Sequence, residues 1–297
     1  MYKKKIMERA EKRSELIKLI IVYAIELLIM IGLEVGFNLL GKTNVNPPMI
    51  VKAIIIYGLL LIPVILYSKK KGDSFLEVCK FKKIKVSTVL LTVLLTIVSC
   101  PMYIFANLVS QLFVPNIMAQ SMNQILDGSA ALALVATTLF APICEEMICR
   151  GFFQNRLKNV LPFMASEIVS GIMFGALHLN LNQFCYAFVL GVIFAYVNRA
   201  SGTVITSMIM HFLINFGNML MLMAFSGIAA TQGRDLGQMA ETARANKQVM
   251  LSGISVYGFL AIIAFFLCRL IIKAIAKREQ TIDIEQDEQL AVETVEL

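Results

Sequence analysis

The sequence predicts an all-α, polytopic membrane helix bundle with about eight transmembrane helices and both termini cytoplasmic. Three observations carry that prediction. Apolar runs of about 20 residues, the length a helix needs to cross a bilayer, recur along the chain. The 297 residues are 58% hydrophobic and only 16% charged, with a mean hydropathy of +0.75, where a soluble domain carries about a quarter charged residues. Basic residues also gather beside alternate ends of the runs. With both termini inside, only Lys42, Lys52, Arg234, Arg244 and Lys247 of the 27 Lys and Arg fall on the outer side. That is the positive-inside asymmetry of an even number of spans.

The elements follow in order. Residues 1–15 read as a charged cytoplasmic leader, and residues 16–278 as a single transmembrane domain with its chemical core at about 130–220. Span 1 runs from about Leu16 to Leu40 and ends at the turn Gly41–Pro48; it is too long for a signal-peptide core. Span 2 covers Met49–Ser68, and a strongly basic linker follows over Lys69–Lys85. Span 3, Val86–Val114, carries Pro101, which is expected to kink or divide it. Span 4 covers Ala131–Lys158, span 5 Phe163–Leu179, span 6 Asn182–Val197, span 7 Thr203–Phe225 and span 8 Val249–Ile272. The stretch Thr231–Lys247 reads as a polar, helix-compatible surface. The acidic tail 279–297 has the composition of a disordered segment.

Composition excludes several classes. The net charge of +7 belongs to membrane-flanking residues and is no nucleic-acid signature. The cysteines at 79, 100, 144, 149, 185 and 268 form no CxxC pair, so neither a disulfide framework nor a structural zinc site is expected. No internal repeat marks a transporter.

Span 4 organises the chain. Ala141-Pro142-Ile143-Cys144-Glu145-Glu146-Met147-Ile148-Cys149-Arg150-Gly151 sets two carboxylates and an arginine in a segment apolar enough for the bilayer. Ionisable groups at that depth cost several kcal/mol each and mark function by default. Glu146 and Arg150 stand at i and i+4 and can pair on one face. Glu145, about 100° further round, is left over as the candidate reactive group. Pro142 removes one helical hydrogen bond just ahead of it. The chain's two histidines both fall in apolar spans: His178 with Phe174 one turn before it, and His211 with Asn215 one turn after. At ~1.5 Å per residue from the cytoplasmic ends, Glu145 lies about 18 Å deep, His178 about 22 Å and His211 about 12 Å. Glu26, Glu34 and Glu167 stand in or near spans without a comparable pattern and are assigned structural or interfacial roles. Gly171, Gly175 and Gly191 are expected to allow close helix packing.

These clusters, Glu145-Glu146 with Arg150, Phe174 with His178, and His211 with Asn215, resemble the three motifs of the CPBP (Abi) family of intramembrane proteases, which includes the type II CAAX prenyl endopeptidases. They stand complete and in order over about residues 130–220. The resemblance implies that Glu145 acts as general base on a water held by His178, and that His211 and Asn215 donate to the substrate carbonyl oxygen. Glu146, tied to Arg150, then holds the helix and tunes the field. A metal-free glutamate mechanism with no cofactor is favoured, with zinc on Glu145, His178 and His211 as the runner-up. The implied substrate is a peptide or lipidated peptide at the membrane, and the basic faces match anionic lipids and an approach from the cytoplasmic side. The expected location is the cell membrane. Rival readings are a proton-coupled transporter and a non-catalytic immunity or partner-binding membrane protein.

Overall fold

A computed structural model describes residues 9–126 and 129–281. The first eight residues of the charged leader and residues 282–297 of the acidic tail lie outside the described residues. Every regular element among the described residues is helical. We number them α1 (Arg9–Lys42), α2 (Met49–Lys70), α3 (Phe75–Cys79), α4 (Val86–Ser110), α5 (Ile117–Leu126), α6 (Ala130–Leu157), α7 (Phe163–Ala176), α8 (Leu181–Ser201), α9 (Ile205–Thr231), α10 (Leu236–Ala245) and α11 (Lys247–Glu279).

Seven of these, α1, α2, α4, α6, α8, α9 and α11, are long and apolar enough to cross a membrane. Span 5 is the exception, its helix shorter than its apolar run. Helix α7 has 14 residues, about 21 Å at 1.5 Å per residue, against ~30 Å of hydrocarbon. The hydrophobic sequence continues through Leu177 and Leu179, but Leu179 adopts a left-handed backbone (φ 54°). Asn180 then caps α8 by accepting from the Gln183 amide at 2.8 Å. His178 therefore sits in a tight turn and not on a helix.

Span 3 is not divided. Helix α4 runs unbroken through Pro101. Ser99 Oγ and Cys100 Sγ donate to the Thr96 carbonyl nearby, the kind of side-chain help that lets membrane helices keep a proline.

Polar clusters define the two ends of the bundle. At one end Glu15 accepts from Tyr67 at 2.7 Å and pairs with Lys71, while Arg156 pairs with Asp73 at 2.8 Å. Here too Arg199 pairs with Glu167, and Gln154 donates to Glu167 Oε2 at 2.6 Å. The last described residue, Thr281, donates to the Ala200 carbonyl. The described chain thus begins and finishes at this basic end. At the opposite end Lys52 donates to Asn46 at 2.7 Å and Arg244 to the Gln111 carbonyl at 2.8 Å. There α10, opened by an Asp235–Gln238 capping box, rests Leu236 on a small apolar cluster with Ala119 and Met122.

The core sits around α6, α7 and α8, where Phe152, Phe194 and Ile148 are buried. Glycine makes the tight crossing possible: a Cβ on Gly191 would lie 2.8 Å from the Gly171 Cα. Close backbone approach through small residues is the usual membrane packing device.

Candidate active site

Helix α6 is not uniformly α-helical. Two π-helical segments, Ala136–Phe140 and Met147–Gln154, flank the short α stretch Ala141–Glu146 that carries both carboxylates. Such segments recur at functional sites because they reset the direction of following side chains. The first one has a specific chemical basis. Its register is i to i+5, as the Ala141 amide donating to the Ala136 carbonyl shows. The next donor in that register belongs to Pro142, which has none. The orphaned Thr137 carbonyl accepts instead from Asn215 Nδ2 at 3.0 Å.

Glu146 and Arg150 pair at 2.9 Å with both side chains fully buried. The guanidinium lies 4.2 Å from the centre of the Phe174 ring and 5.1 Å from that of Phe194, so cation–π attraction replaces some of the water it has lost. Gly191 leaves it room, since a Cβ there would come within 3.0 Å of Arg150 Nη2. His211, on α9, brings Nδ1 to 3.0 Å from Glu146 Oε1. A carboxylate only accepts, so Nδ1–H donates and Nε2 is turned the other way. It faces Glu145, with Nε2 3.7 Å from Oε2.

Glu145 is the accessible member of the pair, with its side chain 19% exposed against 0% for Glu146. Its Oε1 accepts from the Tyr57 hydroxyl of α2. The 3.7 Å gap at Oε2 is beyond a direct hydrogen bond and within reach of one water touching both groups. His178 holds Nδ1 3.0 Å from the Phe174 carbonyl. That carbonyl must accept, which leaves Nε2 of a neutral imidazole as an acceptor. His178 lies within electrostatic reach of Glu145 and His211. The Phe174 ring stands edge-on between the two imidazoles, 5.2 Å from His178 and 5.5 Å from His211.

Glu145, Glu146, Arg150 and His211 therefore form one cluster, with His178 beside it. Asn215 is on the same face but is turned to the π-helical turn. Tyr57 and Phe194 were not singled out by the sequence. Tyr57 left one weak signal, a hydroxyl near the middle of span 2. Glu34, assigned an interfacial role, lines a cavity between α1, α2 and α6. Among the described residues no three His, Cys, Asp or Glu side chains are grouped so as to hold a metal ion.

Architecture and cluster together define a polytopic helical membrane protein with an ionisable site inside its bundle. Residues 127–217 match the model of the family described as type II CAAX prenyl endopeptidase Rce1-like. The matched stretch, about a third of the chain, is similar to that family and contains all three motifs. No curated protein and no solved structure matches the chain significantly.

Proposed function

We propose that the protein is an intramembrane endopeptidase that hydrolyses a peptide bond in a membrane-associated or prenylated, CAAX-like peptide, using a water activated by Glu145. The carrying observation is the division between the two carboxylates. Glu146 is sealed against Arg150 and His211, while Glu145 keeps one oxygen opposite the His211 imidazole at 3.7 Å.

In this reading water sits between Glu145 Oε2 and the unprotonated nitrogen of His178. Glu145 takes its proton as the water attacks the scissile carbonyl, then returns it to the leaving amine. The oxyanion is met by Nε2–H of His211 and by the second amide hydrogen of Asn215, the first being engaged by Thr137. The His211 ring then carries a proton on both nitrogens, because its Nδ1–H is held by Glu146. Arg150 and Glu146 fix the position of His211. No step calls for a metal. The setting is a cell membrane with anionic lipids against the basic end.

The test is cleavage of a farnesylated CAAX peptide and an unprenylated membrane peptide by purified protein in lipid vesicles. Wild type is expected to cut at least one, and Glu145→Gln neither. Cleavage by the Gln variant at the wild-type rate would overturn the assignment.

A further inference from the structure

The cavity between α1, α2 and α6 measures about 570 Å³, a size typical of small-ligand sites. It belongs to the end of the bundle opposite the basic clusters, where α1 turns into α2. Its mouth is polar: Asn38 donates to Glu34 on the α1 side, and Lys52 donates to Asn46 on the α2 side. Amides, an ammonium and a carboxylate together offer both donors and acceptors, which suits a peptide backbone better than a hydrocarbon chain. At its inner end the lining is Tyr57, Thr137 and Ala141. Ala141 stands one turn before Glu145 on the same face of α6. Tyr57 does more than line the wall, because its hydroxyl donates to Glu145 Oε1. The ring itself is held edge-on by Phe140, centroids 5.9 Å apart.

Building on the hydrolase reading, we infer that this cavity is the route by which an extended peptide segment and water reach Glu145, and that Tyr57 is the positioning residue at its inner end. By occupying Oε1, the Tyr57 hydroxyl leaves Oε2 as the oxygen that faces His211. The route runs from the end of the bundle opposite the one that the distribution of basic residues favours.

Two measurements test this. In the first, Tyr57→Phe is compared with wild type on the farnesylated CAAX peptide. kcat is expected to fall about ten- to hundredfold, the loss of a hydrogen bond to a charged group, with KM unchanged within about twofold and thermal stability retained. Asn38→Trp, at an exposed position in the mouth, is expected to raise KM with kcat kept. In the second, a water-soluble carbodiimide with an amine nucleophile modifies carboxylates, and mass spectrometry follows Glu145. Asn38→Trp should slow modification at Glu145 severalfold, and Tyr57→Phe should speed it by freeing Oε1. The inference is overturned if Asn38→Trp leaves that rate unchanged, or if Tyr57→Phe keeps the wild-type kcat. The labelling requires no turnover, so an uncut peptide counts against the hydrolase reading while the route is still decided.

Discussion

Asn215 and Thr137 are joined across two helices by one hydrogen bond, amide nitrogen to carbonyl oxygen at 3.0 Å, at the one place in the π-helical turn where Pro142 supplies no donor. Sequence-distant residues thus compensate for a missing backbone group. Asn215→Ala should leave that carbonyl unsatisfied and cost about 1–3 kcal/mol. In a Pro142→Ala background, where the backbone regains its amide, the same change should cost less. A double-mutant cycle on unfolding in detergent reads the coupling; additive costs would show that the two sites are independent.

Arg150 and Glu146 form a fully buried ion pair. Arg150→Met should destabilise by about 3–5 kcal/mol, since it strands a carboxylate without its cation. Adding Glu146→Gln should recover part of that loss. Chemical denaturation of wild type and the two variants gives the comparison, and an Arg150→Met variant as stable as wild type would rule out a structural role for the pair.

The two glutamates should separate cleanly in function. Glu145→Gln is expected to lower cleavage at least about a hundredfold, in the range lost with a general base, with little change in melting temperature because its side chain is partly exposed. Glu146→Gln should shift the melting temperature as well. Parallel assays of activity and thermal unfolding distinguish them.

Gly151 marks where the basic linker docks. A Cβ at this position would lie 2.6 Å from Cys79 Sγ and 3.0 Å from Cys79 Cβ. Gly151→Ala should therefore push α3 off α6 at a cost of about 1–3 kcal/mol, and Cys79→Ala should restore part of it. Melting temperatures of the single and double variants report this directly.

Metal dependence is a separate measurement. Activity is expected to survive exhaustive chelation, and the purified protein to carry far less than one zinc per chain by elemental analysis. Stoichiometric zinc whose removal stops cleavage would replace the glutamate reading with a metalloprotease using the same three side chains.

Much of this was legible because helical spacing is regular. Glu146 and Arg150 at i and i+4 announce their contact, and Gly171 and Gly191 announce a close crossing. Other features leave no such trace. The π-helical turn depends on which carbonyl lacks a donor, and that is known only once Asn215 of a distant helix is seen beside it. Tyr57 reaches Glu145 from a helix 88 residues away in sequence, and apart from its mid-span hydroxyl nothing in its own neighbourhood distinguishes it from a packing aromatic. The early stop of α7 is invisible to hydropathy because Leu177 and Leu179 flank His178; only Asn180 hints at a new cap.

Phe174 stands within 5.5 Å of three nitrogen-bearing groups at once, His178, His211 and Arg150, measured between ring centres or to the guanidinium carbon. One hydrocarbon disc thereby gathers these groups around itself, meeting the guanidinium and the two imidazoles, while Glu146 Oε1 joins Arg150 to His211. A smaller side chain in place of that disc would remove the one surface that the three groups share, even with every ionisable residue kept.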